Sequence, residues 1–304
     1  MHDVVPNRRS RARSRPLFEC IALLLQGGGA LGAYQAGVYQ ALSEANLHPD
    51  WVAGISIGAI NSAIIAGNPP EQRVAKLRAF WQGITANPLF DWAAAAGQFA
   101  PKGDVARGLF NNMSAAWALV AGAPNFFALR QPPAWLHPVG SLEATSFYET
   151  KLLKATLEQL VDFDRINSGE MRFSVGAVNV RTGNFVYFDN TTREIRPEHV
   201  MASGSLPPGF PAVEIEGEHY WDGGLISNTP LQWASRTASA RTRSRSKSTS
   251  GARVASFPAT SPRSRRGRRR SSTRAGRAQT RTSSGAIKDC AARSRLFWRS
   301  CPRI

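Results

Sequence analysis

Apolar positions along the chain fall into short blocks that change period. Cys20–Leu25 is a continuous apolar run, read as a buried strand, and the glycines Gly27–Gly29 end it. Leu31, Tyr34, Val38 and Leu42 then recur at helical spacing. Pro49 marks a turn before a second short strand, Trp51–Ala53. The small apolar stretch Ser56–Ala66 suits a buried helix, stopped by Gly67-Asn68-Pro69, and Val74–Ile84 is a third helix. Between about residues 85 and 141 the periodicity breaks down into Ala, Gly, Pro and aromatics, among them Phe126, Phe127 and Trp135. Ser146-Phe-Tyr-Glu149 has the spacing of a capping box and predicts a helix from there to about Leu160. Phe173–Val180 and Phe185–Phe188 alternate like strands paired around Arg181-Thr182-Gly183. Val213–Ile215 and His219–Trp221 read as a second hairpin around Glu216-Gly217-Glu218. Strands alternating with helices predict an α/β fold: three layers, α/β/α, with a mainly parallel central sheet.

After Trp233 this patterning stops and Arg, Ser, Ala and Thr take over. The change alters the meaning of the net charge, +17 over 304 residues. Residues 234–304 hold 20 of the 38 Lys and Arg but a single acid, Asp289, so the rest of the chain is slightly acidic. The expected organisation is a basic disordered N-terminus over 1–16, a folded domain over 17–233, and a disordered basic tail over 234–304. Two origins for the tail stay open: a natural disordered extension, or out-of-frame reading of a GC-rich gene. Its few aromatics, Phe257, Phe297 and Trp298, lie outside the densest Arg run, so nucleic acid is not an expected partner. Arg8–Arg15 followed by Leu17–Leu25 imitates a signal peptide, but the apolar run enters the glycine loop with no cleavage site before it. No apolar run reaches 18 residues. Cys20, Cys290 and Cys301 have neither metal-site nor disulfide-framework spacing, and a cytoplasmic location is expected.

Candidate chemistry lies where strands meet helices. Gly54-Ile55-Ser56-Ile57-Gly58 follows a predicted strand and opens a predicted helix, the context of a nucleophile elbow. Its glycines let strand and helix approach, and the helix N-terminus beside Ser56 favours developing negative charge. Upstream, Gly27-Gly28-Gly29-Ala30-Leu31-Gly32 also joins a strand to a helix. Its G-x-G-x-x-G spacing fits a dinucleotide loop, but that motif wants an acid at the end of the next strand, where this chain has the serine. An oxyanion hole of backbone amides is the better reading, centred on Gly28 and Gly29 with a neighbour; losing one such donor costs on the order of a hundredfold in rate. The third element is Asp222-Gly223-Gly224 after the strand at His219–Trp221.

These three motifs, in this order, resemble the patatin-like phospholipases over about residues 20–233. Ala33–Val38 and the Ala/Ser/Pro-rich run Met201–Val213 agree with that resemblance. It implies a Ser–Asp dyad, Ser56 as nucleophile and Asp222 as base, acting without histidine on ester bonds of lipids. No metal and no organic cofactor is implied. The partners implied are a lipid or phospholipid substrate and transient contact with a membrane surface. A Ser–His–Asp triad is the rival mechanism, and His219 its candidate; three residues before Asp222 in a strand, it should point to the opposite face. Asn61 and Ser62 read as packing or capping residues. The aromatic stretch 85–141 reads either as a lid or acyl-chain cleft, or as a packed insertion. Two other function classes remain: an inactive lipid-binding protein of the same fold, and a binder of membranes or nucleic acids through the basic tail.

Overall fold

A computed structural model describes residues 20–86 and 122–235, and the backbone of a strand at Arg253–Phe257. The strands are β1 (Ile21–Leu25), β2 (Trp51–Ile55), β3 (Ala128–Leu129), β4 (Tyr148–Glu149), β5 (Arg172–Asn179), β6 (Phe185–Asp189), β7 (Val213–Ile215), β8 (Glu218–Asp222) and β9 (Arg253–Phe257). The helices are α1 (Gly32–Glu44), α2 (Ile57–Ala66), α3 (Pro70–Thr85), α4 (Lys151–Leu160), α5 (Phe163–Asn167) and α6 (Pro197–Ser203). Residues 231–235 begin one more helical stretch.

Seven strands form the central sheet in the order β7-β8-β5-β2-β1-β9, with β6 also paired to β5. The four strands β9, β1, β2 and β5 run parallel, as expected of a mainly parallel sheet. The antiparallel strands β6, β8 and β7 extend it at one side. Among the described residues, no helix is long and apolar enough to cross a membrane.

The register around β5 places the site. β2 pairs with Arg172–Gly176 and β6 with Ser174–Val178, so these two strands occupy opposite edges of β5. β8 pairs with Ala177–Asn179, which overlaps β6 but not β2. It therefore lies on the β2 edge, and its last residue meets the end of β2. Ile55 stands opposite Gly176 and Asp222 opposite Ala177. The two strands approach the same point of β5 from opposite directions, and their tips carry Ser56 and Asp222.

One sheet face is the main core. Leu23, Leu25, Val52, Phe173, Val175 and Ala177 point into it, against Tyr39 of α1, Ile60 and Ile64 of α2, Phe80 of α3, Leu157 of α4 and Val200 of α6. On the other face Ala22, Leu24, Trp51 and Ala53 pack with Ala234, and Trp233 stacks on Tyr187 at 4.5 Å. Trp51 donates to Ser174 Oγ (2.9 Å), and the Arg172 guanidinium lies 4.2 Å from the Trp51 ring centre. Arg172 also pairs with Asp189 at 2.7 Å. Burial alone would raise the Asp189 pKa, but bonds from Arg172, Ser174 and Thr191 prevail and lower it.

Three sequence expectations differ from the fold. The helix read from Ser146 starts at Lys151 instead, because Ser146 Oγ is bonded to Arg130 and Tyr148, and Tyr148–Glu149 is a strand paired with β3. The third helix begins at Pro70, four residues before Val74; proline at the first helical turn loses no hydrogen bond. No element was expected after Trp233, yet β9 adds five residues in parallel to β1. Val254–Phe257 carries no charge and contains a β-branched and an aromatic residue, a short strand signal hidden by the surrounding Arg/Ser composition. The remainder of 236–304, residues 1–19 and residues 87–121 lie outside the described residues.

A chain truncated after residue 235 loses β9 and leaves β1 as a bare sheet edge. It should unfold at lower urea than the full chain, by about 1–3 kcal/mol, and aggregate more readily. Coincident unfolding curves and equal solubility would show that β9 contributes nothing.

Candidate active site

The site is assembled from three loops at the carboxyl ends of β1, β2 and β8. Ser56 follows β2 directly and precedes α2, with φ 56° and ψ −128°, a conformation strained for a residue with a side chain. Gly54 and Gly58 make that turn feasible. A Cβ on Gly54 would lie 2.2 Å from the Gly58 carbonyl oxygen, and one on Gly58 would lie 2.2 Å from the Leu25 carbonyl oxygen. The backbones of β1, β2 and α2 are thus in direct contact beneath the serine. Every residue from Trp51 to Ala66 is buried except Ser56, which is half-buried. Because α2 starts at Ile57, the first amides of that helix lie beside the serine.

Asp222 ends β8 and is only 2% exposed. Its carboxylate lies beside the Ser56 hydroxyl, and its Oδ1 accepts the Gly224 amide at 2.6 Å. Burial raises the Asp222 pKa above its ordinary 3.8, against the lowering effect of the Ser56 hydroxyl and the Gly224 amide. Its own amide donates to the Ser205 carbonyl (2.9 Å). Gly223 lets the chain cross β5 closely, since a Cβ there would lie 2.5 Å from the Gly176 carbonyl oxygen.

The glycine loop Gly27–Gly32 is held against these two groups. A Cβ on Gly27 would lie 3.0 Å from Ser56 Cβ and 2.2 Å from Asn228 Oδ1. Gly27 and Asn228 exchange two bonds: the Gly27 amide donates to the Asn228 carbonyl, and Asn228 Nδ2 donates to the Gly27 carbonyl, both at 3.2 Å. Thr229 bonds Gln26, and Gln35 reaches back to the Gln26 carbonyl at 2.7 Å. Leu31 donates to the Gly28 carbonyl, and Gly32 to those of Gly29 and Ala30. Among the described residues, the amides of Gly28, Gly29 and Ala30 have no such acceptor. Gly29, at φ 55°, uses the left-handed conformation that glycine adopts without strain.

His219, His199 and His137 are each oriented or bonded elsewhere. His219 sits opposite Glu214 in the β7–β8 ladder, and Asp222 opposite Ala177, which faces the main core. Strand alternation therefore puts the His219 side chain on the opposite face from Asp222. His199 is buried, its Nδ1 accepting the Arg196 amide, and burial lowers its pKa. His137 contacts the Pro132 carbonyl. Among the described residues no cluster of His, Cys, Asp or Glu could hold a metal ion.

The family model for patatin-like phospholipases matches residues 23–234, more than two thirds of the chain. The chain belongs to the patatin-like phospholipase family. Its match runs from β1 into the helical residues 231–235 and takes in all three loops. A patatin-like phospholipase domain-containing protein of Caenorhabditis elegans, M110.7, is 35% identical over 71 residues, which are 23% of this chain and 6% of that protein. Lysophospholipase nte1 of Aspergillus terreus is 50% identical over 46 residues, 15% of this chain and 3% of that protein. The matched stretches are thus small parts of much longer relatives. Among solved structures, VipD from Legionella pneumophila gives a TM-score of 0.39 at 15% identity, covering 93% of this chain and 67% of its own. Human GIVD cytosolic phospholipase A2 gives 0.28 at 14%, covering 56% and 22%. The family assignment rests on the sequence match.

Several residues of this patatin-like site carried no clear signal in the sequence. Asn61, read as packing or capping, is fully buried and joins three helices: it donates to the Gly32 carbonyl and Gln35 Oε1, each at 2.9 Å, and accepts Trp81 Nε1 at 3.1 Å. A polar residue in an otherwise apolar helix was the available clue. Asn228 and Ser203 were not singled out, although Ser203 lies inside the flagged run Met201–Val213. Phe126 and Phe127, from the aromatic stretch, pack with Phe210 at 5.9 and 5.2 Å, and Phe127 meets Tyr148 at 4.9 Å. Of that stretch, residues 87–121 lie outside the described residues, and the lid reading with them.

Gly58→Ala should be among the most damaging single-methyl changes in the chain. The added Cβ meets backbone atoms of β1 that cannot rotate away, so destabilisation of about 3 kcal/mol or more is expected. Urea unfolding of the purified variant checks this, and a loss under 1 kcal/mol would contradict the close packing.

Proposed function

We propose that the protein is a lipid acyl hydrolase that cleaves acyl ester bonds of phospholipids or related lipids through a Ser56–Asp222 dyad. The observation that carries the reading is the buried Asp222 carboxylate beside a serine hydroxyl on a strained strand–helix turn. Ser56 Oγ attacks the acyl carbonyl while its proton passes to Asp222. The proton then goes to the leaving alcohol as the acyl C–O bond breaks, leaving acyl-Ser56. Asp222 next deprotonates a water as it attacks the acyl carbon, and returns that proton to Ser56 Oγ as the acyl–Oγ bond breaks and the fatty acid leaves. The amides of Gly28, Gly29 and Ala30 receive the oxyanion. An ordinary carboxylate is a weak base for a serine hydroxyl; burial makes Asp222 a stronger one.

The surroundings favour an apolar substrate. Leu31, Leu206, Leu225 and Ile226, all on loops that carry the site, are between 47% and 55% exposed. Farther out, Trp135 and Val139 are 76% and fully exposed on the excursion between β3 and β4. That excursion is tied to the site segment where Phe147 and Tyr148 donate to the carbonyls of Pro208 and Gly209. Transient seating of this side on a lipid surface follows from the same reading.

A fluorophosphonate probe should label the wild-type protein at Ser56. Ser56→Ala should lose labelling and reduce ester hydrolysis roughly 10³-fold or more while remaining folded. Asp222→Asn should fall comparably, and His219→Ala should keep most of the activity. Turnover by folded Ser56→Ala, or a dead but folded His219→Ala, would overturn the dyad.

The pH profile is a separate test. Asp222 acts as base only when ionised, and burial keeps it protonated to higher pH than a free carboxyl. The acid limb of kcat/KM should therefore lie above pH 3.8, with activity falling as pH drops through it. A limb at or below that value would mean the carboxylate is not buried in the working enzyme.

A further inference from the structure

The turn that closes α6 touches both members of the dyad. Ser203, the last residue of α6, is fully buried. Its hydroxyl lies 2.6 Å from the Gly176 carbonyl, to which it donates, and 3.0 Å from the Ser56 amide, from which it accepts. A serine hydroxyl has one proton and two lone pairs, so the first bond orients the second. Two residues on, the Ser205 carbonyl accepts the Asp222 amide at 2.9 Å. Gly176 lies opposite Ile55, at the point on β5 where β2 and β8 both stop. The Ser203 hydroxyl thus fills the gap that opens when the chain leaves the ladder to make the elbow.

We propose that Ser203 is a positioning residue for the reaction, and that the turn Ser203-Gly204-Ser205 acts as a clamp setting the separation of Ser56 and Asp222. The clamp grips backbone rather than reacting atoms: one amide of the nucleophile, one amide of the base. A residue with a side chain at φ 56° needs its neighbours to hold it there. Removing the Ser203 oxygen leaves the Ser56 amide without its acceptor, and the turn is free to relax toward an unstrained conformation. Ser56 Oγ then drifts from Asp222, and the chemical step slows although both reacting groups are present. Substrate binding, which depends on the loops around the site, changes little.

The reactive consequences rest on the dyad proposed above; the hydrogen-bond role of Ser203 does not. The test therefore has two independent readouts on Ser203→Ala, with Ser203→Thr as the variant that restores a hydroxyl. Hydrogen exchange of the Ser56 amide, followed by NMR, reads the clamp without reference to activity. It should speed up at least tenfold in Ser203→Ala and recover toward wild type in Ser203→Thr. The rate of fluorophosphonate labelling, and kcat on a soluble short-chain ester, should fall about 10- to 100-fold in Ser203→Ala with KM within about threefold, and recover in Ser203→Thr. Ser62→Ala is the control: Ser62 is a fully buried serine of α2 whose hydroxyl has no partner among the described residues. It should keep kcat within about twofold.

Unchanged exchange at the Ser56 amide in a folded Ser203→Ala protein overturns the clamp, as does labelling at the wild-type rate. If Ser203→Ala fails to fold, Ser203→Thr carries the test. Wild-type-like exchange and labelling in it uphold the clamp, and a folded Ser203→Thr with a fast-exchanging amide overturns it. If wild-type protein is not labelled at all, the dyad reading fails while the exchange result still decides the clamp.

Discussion

The site depends on one edge of one strand being shared. β6 covers one edge of β5 along Ser174–Val178, so β2 and β8 must use the other in succession. β2 arrives parallel and leaves at Ile55; β8 arrives antiparallel and stops at Asp222. Two strands ending head to head cannot both continue, so each must turn out of the sheet there. Those turns are the serine elbow and the Asp222-Gly223-Gly224 segment. Glycines lie where backbones cross: Gly54 against Gly58, Gly223 against Gly176. The approach of Ser56 to Asp222 is thus a by-product of sheet register, with packing beneath it that tolerates almost no added atoms.

Around that point, polar side chains do what the ladder no longer can. Ser203 bridges the gap between Ser56 and Gly176. Asn228 ties the loop after β8 to the loop after β1, and Asn61 fixes the first turn of α1 from within α2. Each satisfies a main-chain group that leaves regular structure, as burial requires. Among the described residues of the site, the tip of the glycine loop, Gly28–Leu31, stays exposed.

Much of this was legible in the sequence, for identifiable reasons. Strand–loop–helix junctions at Gly27–Gly32 and Gly54–Gly58 combine a change of apolar period with glycine, two signals that reinforce each other. The hairpins at Phe173–Phe188 and Val213–Trp221 alternate cleanly. Less legible were effects decided by distant partners. The Ser146 capping box never forms, because Arg130 claims the serine side chain from 16 residues away. Asn61 and Ser203 act through bonds spanning 29 and 147 residues, which no local pattern encodes. β9 was hidden for a different reason: five residues of strand are too short to stand out in a segment dominated by Arg and Ser.

The pairing of Ser56 with Asp222 also imposes an order of events on synthesis. The elbow is made early, within the first quarter of the chain, but Asp222 lies 166 residues later and reaches it only through the completed β5–β8 ladder. A chain still emerging from the ribosome, or one folded only as far as α3, carries Ser56 without the Asp222 carboxylate beside it. The site is therefore assembled only at topological completion, whatever chemistry it performs.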